Sequence, residues 1–258
     1  MLQCSTMTSF GEAVRWLNTA RNPNLFPETN PYRTWDQFQS GIELYCKHFN
    51  QAIDIPPFLS APPGFVVDLF SGGQFVHEIV EAQLAQGGIS LGLSDPRSDE
   101  EKSWDNQHQV AVLPANIMYG DTFAQLATWI KTHQPQNPKY RLALANAGLT
   151  YQKTLWNHLR WPLLERFFWE TIDILDPHGG TLVCDVPYFT PQETSYPRIW
   201  AEAVNNNQLG VHITFHPIGK NCSDRGLVLK AVRNPDGNPN NYRRFTRDLE
   251  LPHLYPQL

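Results

Sequence analysis

Apolar positions along the chain switch between two periods, and the switch divides it. Before residue 64 the helical period dominates. Ala13, Val14, Trp16 and Leu17 sit at helical spacing, until Asn22, Pro23, Asn24, Pro27, Asn30 and Pro31 interrupt them. A second stretch, about 35–53, carries Trp35, Phe38, Ile42, Tyr45, Cys46, Phe49 and Ile53 near period 3.6, with Leu44 off the stripe. Pro56, Pro57, Pro62 and Pro63 end it. Residues 1–63 therefore read as an N-terminal helical cap.

From Gly64 to the end, short β-rich runs alternate with amphipathic stretches. The first strand is Phe65 to Phe70, followed by a glycine turn and a helix of about 74–86. Phe75, Val76, Ile79, Val80 and Leu84 mark that helix's buried face, and Gly87-Gly88 its left-handed stop. The second strand runs from Ile89 to Ser94, with Asp95 at its end. A polar stretch with Asp99, Glu100, Glu101 and Lys102 reads as a short helix or loop. The third strand is Val110 to Leu113 or slightly longer. Gly120-Asp121-Thr122 caps a helix of about 123–133, and the fourth strand is Arg141 to Asn146. In a helical region of about 153–176, Leu155, Leu159, Leu163, Phe167, Ile172 and Leu175 share one face, with Pro162 at a kink or a first turn. The turn at 176–180 leads to a fifth strand, Thr181 to Val186, and then to a helix of about 195–208. Val211–Ile218 and Gly226–Val232 close the pattern as an antiparallel hairpin. Alternating strands and helices predict a mostly parallel sheet covered on both faces, a three-layer α/β domain over 64–258.

Composition narrows the function classes. At 258 residues the chain is long enough for one large α/β domain with an appendage. Its 41% apolar and 17% charged residues exclude a disordered chain, and 12% aromatics supply packing area. The net charge of −5 lacks the basic surplus of a phosphate-backbone binder, so nucleic acid is not the expected partner. Arg243, Arg244 and Arg247 read as a solvated face. Cys4, Cys46, Cys184 and Cys222 form no CxxC pair, which argues against a metal or redox motif and fits a reducing cytoplasm. There is no signal-peptide pattern and no apolar run of membrane-spanning length, so no membrane partner is expected.

The first strand and its turn, Val66-Val67-Asp68-Leu69-Phe70-Ser71-Gly72-Gly73, hold the most informative chemistry. In an open α/β sheet, ligands bind beyond the carboxyl ends of the strands where strand order reverses. Gly72 and Gly73 permit close backbone approach, and the next helix presents its N-terminal N–H groups. Taken alone, the two glycines fit a plain tight turn equally well. Asp95, 27 residues after Asp68, adds an acid placed to bind both hydroxyls of a ribose; dinucleotide folds put that acid roughly 20 residues on. The strict G-x-G-x-x-G is absent, which favours a nucleoside without a pyrophosphate over NAD and disfavours a dehydrogenase.

Over about residues 64–233 these features resemble the class I S-adenosylmethionine (SAM)-dependent methyltransferases. Asp68-Leu69-Phe70-Ser71-Gly72-Gly73 is similar to the family's first motif, with Phe70 and Gln74 where glycines are usual. Asp95 matches its ribose-binding acid, and Gly120-Asp121-Thr122 the segment facing the adenine amino group. Leu142 to Ala147 matches the fourth strand, on the methyl-donating side. Leu175 to Val183 is similar to the helix, turn and fifth strand, and the terminal hairpin to strands six and seven. The resemblance implies a Rossmann-like three-layer sandwich on a mostly parallel seven-stranded sheet with an antiparallel strand in its C-terminal hairpin. It implies SAM as cofactor, bound by Asp68, Phe70, Ser71, Gly72, Gly73, Asp95, Asp121, Thr122 and Asn146. The first motif also resembles that of DNA cytosine methyltransferases, yet Asn146-Ala147-Gly148 stands where they carry Pro-Cys. Asp185-Val186-Pro187-Tyr188 resembles the adenine-methyltransferase motif, but follows the fifth strand and lacks its first proline.

The expected activity is methyl transfer to a small molecule or a protein side chain, by aligning the nucleophile with the methyl–sulfur bond. The alternative is a catalytically degenerate protein of this fold, acting as a nucleoside-binding or interaction module. Tyr151, Asp185 and Tyr188, near the carboxyl end of the sheet, are the catalytic candidates should the acceptor carry a proton. His77, beside apolar residues, reads as structural or surface. The N-terminal helices and 96–108 are expected to lid the site, with Trp35, Trp104 and Tyr119 as a potential aromatic wall.

Overall fold

The computed structural model describes residues 41–60, 64–69, 73–92, 95–115, 122–133, 140–145, 168–186, 195–206, 209–218 and 227–236. Seven stretches form strands: β1 (Phe65–Asp68), β2 (Gly87–Gly92), β3 (Val110–Pro114), β4 (Tyr140–Ala145), β5 (Thr181–Val186), β6 (Val211–Pro217) and β7 (Leu227–Arg233). The helices are α1 (Gly41–Phe49), α2 (Ile55–Ser60), α3 (Gln74–Glu81), α4 (Asp99–Gln107), α5 (Thr122–His133), the helical residues 168–174 (α6) and α7 (Ser195–Asn206).

The strands join in the order β3-β2-β1-β4-β5-β7-β6. β1 to β5 are mutually parallel, and β7 runs antiparallel between β5 and β6. This is the Rossmann-like methyltransferase fold. Because strand side chains alternate between faces, one sequence feeds two cores. Val67, Ile89, Leu91, Ala143, Ala145, Leu182, Leu229 and Ala231 pack under α5, α6 and α7. Val66, Leu142, Leu144, Val183 and Val228 pack under α1, α2 and α3. α4 joins the second layer, with Trp104 against that core.

Several boundaries differ from the sequence reading for local reasons. Pro56 and Pro57 do not end the helical region. They lie in the first turn of α2, where their missing N–H groups go unneeded. α3 stops at Glu81, and Gln83, not a glycine, takes the left-handed turn at φ 59°. Gly87 and Gly88 instead open β2. A Cβ on Gly88 would lie 2.6 Å from the Val66 carbonyl oxygen and 2.7 Å from Val76 Cγ1, so glycine permits the close packing of β2, β1 and α3. β1 ends at Asp68, although Leu69 N still donates to Leu144 O at 2.8 Å. The polar stretch after β2 is the regular helix α4, started by a capping box between Ser98 and Glu101. It packs beside α3 and β3 as part of the layer. Among the described residues no helix is long and apolar enough to cross a membrane.

Candidate functional site at the carboxyl edge of the sheet

After β1 the chain builds outward through β2 and β3, then returns to add β4 on the opposite side of β1. Strand order reverses there, and in open α/β sheets ligands bind beyond the carboxyl ends of the strands at such a point. Asp68 is the last residue of β1, in register with Ser90 of β2 and Leu144 of β4. It is fully buried, and its Oδ2 accepts from the Tyr45 hydroxyl at 2.7 Å. Gly73 sits at the start of α3 with φ 104°, a left-handed conformation that a side chain would strain. The first turn of α3 therefore opens toward the same edge.

Asp95 lies three residues past β2. Arg97 grips it with a fork: Nε donates to Oδ1 at 2.8 Å and Nη2 to Oδ2 at 2.9 Å, while Arg97 N also donates to Oδ1 at 3.2 Å. Burial alone would raise the Asp95 pKa. The hydrogen bonds and charge of Arg97, with Lys102 beyond, outweigh burial and hold the carboxyl below its ordinary range. The third guanidinium nitrogen, Nη1, donates to Asp105 Oδ2 at 2.6 Å. Asp105 is fully buried in α4, and its Oδ1 pairs with His77 Nδ1 at 2.6 Å. His77 thus faces an ion pair rather than solvent.

A second carboxylate chemistry belongs to α1. Tyr45 and His48, three residues apart, share a face of that helix. Tyr45 reaches Asp68 in β1, and His48 Nε2 meets Asp185 Oδ1 in β5 at 2.5 Å, two strands along the sheet. Asp185 and His48 are both largely buried, with side-chain exposures of 9% and 13%. An Nε2–H donated to the carboxylate leaves the imidazole lone pair on Nδ1. Glu78 of α3 holds α1 in place, its two carboxylate oxygens accepting from Gly41 N at 2.8 Å and Ile42 N at 2.9 Å. At the other end, Lys230 Nζ donates to Ala52 O at 2.9 Å. Behind Asp185, burial pushes the Cys184 thiol far above its usual range, and the Asp185 charge adds to this.

Thr122 is buried at the start of α5. Trp104 packs on His77 at 4.5 Å and stacks on His108 at 3.9 Å, within α4's layer. Phe70, Ser71, Gly72, Asp121, Asn146, Tyr151, Tyr188, Trp35 and Tyr119 lie outside the described residues. Of the candidates that are described, Asp68 and Gly73 flank the turn after β1, Asp95 lies between β2 and α4, and Asp185 stands two strands from Asp68. Tyr45, His48, Arg97 and Asp105 escaped the sequence reading. Tyr45 was absorbed into an apolar stripe, and the others pair across distances of up to 137 residues, which no local pattern encodes. Arg97, two residues beyond Asp95, carried the one local signal. Among the described residues no three His, Cys, Asp or Glu side chains are grouped to hold a metal ion.

No protein-family model and no curated protein matches the sequence. Solved structures with similar folds include a magnesium protoporphyrin IX methyltransferase from Synechocystis with bound SAM, at 12% identity and a TM-score of 0.43, over 89% of this chain and 99% of that one. The N-methyltransferase NodS from Bradyrhizobium japonicum, in complex with S-adenosyl-L-homocysteine (SAH), matches at 14% identity and 0.41, over 89% and 100%. An rRNA methylase from Streptococcus thermophilus matches at 11% and 0.38, over 69% and 93%. These similarities are remote. The fold assignment rests on the strand order and pairing themselves.

Proposed function

We propose that this chain is a SAM-dependent methyltransferase acting on a small molecule or a protein side chain. One observation carries the reading. A glycine turn after β1 and an acid kept ionised after β2 stand on neighbouring strands beside the point where strand order reverses. The donor set suits the cofactor's chemistry. The N–H groups opening α3 suit a carboxylate, Asp68 lies enclosed beneath that turn, where its charge favours the positive end of an amino acid without touching it, and Asp95 suits a ribose hydroxyl. In the proposed arrangement Phe70, Ser71, Gly72 and Gly73 wrap the amino-acid end, Asp121 and Thr122 border the adenine, and Asn146 lines the transfer side.

Bound SAM supplies an electrophilic methyl group on a sulfonium. The protein's contribution is alignment of the acceptor and exclusion of water. Where the acceptor carries a proton at neutral pH, His48 Nδ1 takes it, while Asp185 orients the ring through Nε2. Tyr151 and Tyr188 complete the acceptor side. In this reading residues 64–258 carry the cofactor site, and the helices of 41–60 pack on one face of the same sheet. The net charge of −5 favours an acceptor other than a phosphate backbone.

Calorimetric titration with SAM and SAH tests the proposal, with micromolar binding expected for both. The Asp95→Ala variant should bind at least about tenfold more weakly, since a hydrogen bond to a charged group contributes about 1.5–3 kcal/mol. Unchanged affinity removes the ribose assignment, and binding of neither ligand removes the function.

A further inference from the structure

Asp95 is exposed enough to meet a ligand, with a side-chain exposure of 20%, and it sits on a connecting segment rather than in a strand. A carboxylate so placed would rotate, and immobilising it on binding would weaken affinity. It is held instead. The Arg97 side chain and its backbone N–H take both lone-pair sites of Oδ1 and one of Oδ2, leaving the second site of Oδ2 to accept from a ligand hydroxyl, because a carboxylate offers about four lone-pair sites. Arg97 is itself buried and is anchored through Nη1 to Asp105, which is fully enclosed. The other Asp105 oxygen takes His77, on the second turn of α3. His77 N donates to Gly73 O at 3.0 Å, so this chain of contacts runs from the turn after β1 to the acid after β2. Trp104 covers His77 at 4.5 Å.

A buried ion pair adds little net stability compared with apolar packing of the same volume. The physical effect of this chain of contacts is therefore orientation. We propose that Arg97, Asp105 and His77 are positioning residues that fix the Asp95 carboxylate for a ribose hydroxyl and tie its position to the cofactor turn. This rests on the reading of Asp95 as the ribose acid. It adds that hydroxyl recognition depends on three residues which touch no cofactor.

The test compares SAH with 2′-deoxy-SAH by calorimetry, because their ratio of affinities isolates the hydroxyl. Wild-type protein should favour SAH by about tenfold or more. Arg97→Lys keeps the charge and removes the fork. It should reduce the preference to below about threefold while leaving 2′-deoxy-SAH binding within about threefold of wild type, since only the hydroxyl contact is lost. His77→Ala should act in the same direction. His77→Asn, whose amide N–H can replace Nδ1–H, should restore the preference, and this pair stands as the test if Arg97→Lys fails to fold. Preserved preference in folded Arg97→Lys and His77→Ala overturns the proposal. So does equal weakening of both ligands, the mark of a structural role. Failure of the underlying reading looks different: no hydroxyl preference in wild type, or a preference that survives Asp95→Ala.

Discussion

At the scale of single residues, the site is organised by carboxylates that cannot be left alone. Asp68 is fully buried, and Tyr45 gives it one hydrogen bond at 2.7 Å. Leaving a buried acceptor short of a donor is costlier than the net gain from making the bond. Tyr45→Phe keeps the ring packed edge-on against Phe75 and removes only the donor. The variant should lose about 1–3 kcal/mol of stability, read as a lower urea midpoint at unchanged slope. An unchanged midpoint would mean that the other contacts of Asp68 satisfy it. The sequence marks Asp68 as the acid ending a buried strand, but Tyr45 reads only as part of an apolar stripe. An aromatic side chain with a polar tip serves both roles, and periodicity detects only the first.

At the scale of elements, chain ends and edges are closed by side chains from elsewhere in the sequence. Glu78 caps α1, and Arg233 Nη1 donates to Ile172 O at 3.1 Å and Leu175 O at 2.5 Å at the end of α6. β6 lies at the margin of the sheet, where unpaired backbone groups invite association. Asn205 of α7 covers this edge at Ile213. Its Nδ2 donates to Ile213 O at 2.9 Å, and its Oδ1 accepts from Ile213 N at 2.8 Å. Asn205→Ala should speed hydrogen exchange at the Ile213 amide and lower stability by about 1–2 kcal/mol, two ordinary hydrogen bonds. Exchange as slow as in wild type would show that the amide is protected by other means. The elements themselves were largely legible, because burial on one face imposes period 3.6 or 2 on the sequence. Their ends were less so. The left-handed residue just past the end of α3 is Gln83, where glycine is usual, and Gly87-Gly88 answers to packing in β2, not to a turn.

At the scale of the whole molecule, the described part of the N-terminal region, 41–60, is one of the layers. Tyr45, Phe49, Ile53, Ile55 and Leu59 share a core with Val66, Ile79, Leu142, Val183 and Val228. Each large apolar side chain buried there contributes about 1.5–3 kcal/mol, so the set is comparable with the 5–15 kcal/mol net stability of a typical protein. A chain beginning at residue 61 should therefore lose its cooperative thermal transition and bind hydrophobic dyes. A cooperative transition at the wild-type temperature would instead show that the sheet stands without these helices. The placement of α1 also brings His48 to Asp185, so the same helix completes a core and adds an imidazole at the carboxyl edge.

By itself the sequence determined the alternation of strands and helices, the parallel character of the first five strands and the acid-and-glycine turn after β1. These are local facts, fixed by side-chain periodicity and by backbone conformations open to few residue types. It also foretold the terminal hairpin. That β7 rather than β6 pairs with β5 was decided only by the tertiary structure, since hairpin patterning is the same whichever strand docks. The partners of the carboxylates were decided there too. Tyr45 meets Asp68, His48 meets Asp185, and Arg97 and His77 meet Asp105, because burying a charge demands whichever donor the packed elements bring within reach, however distant in the chain.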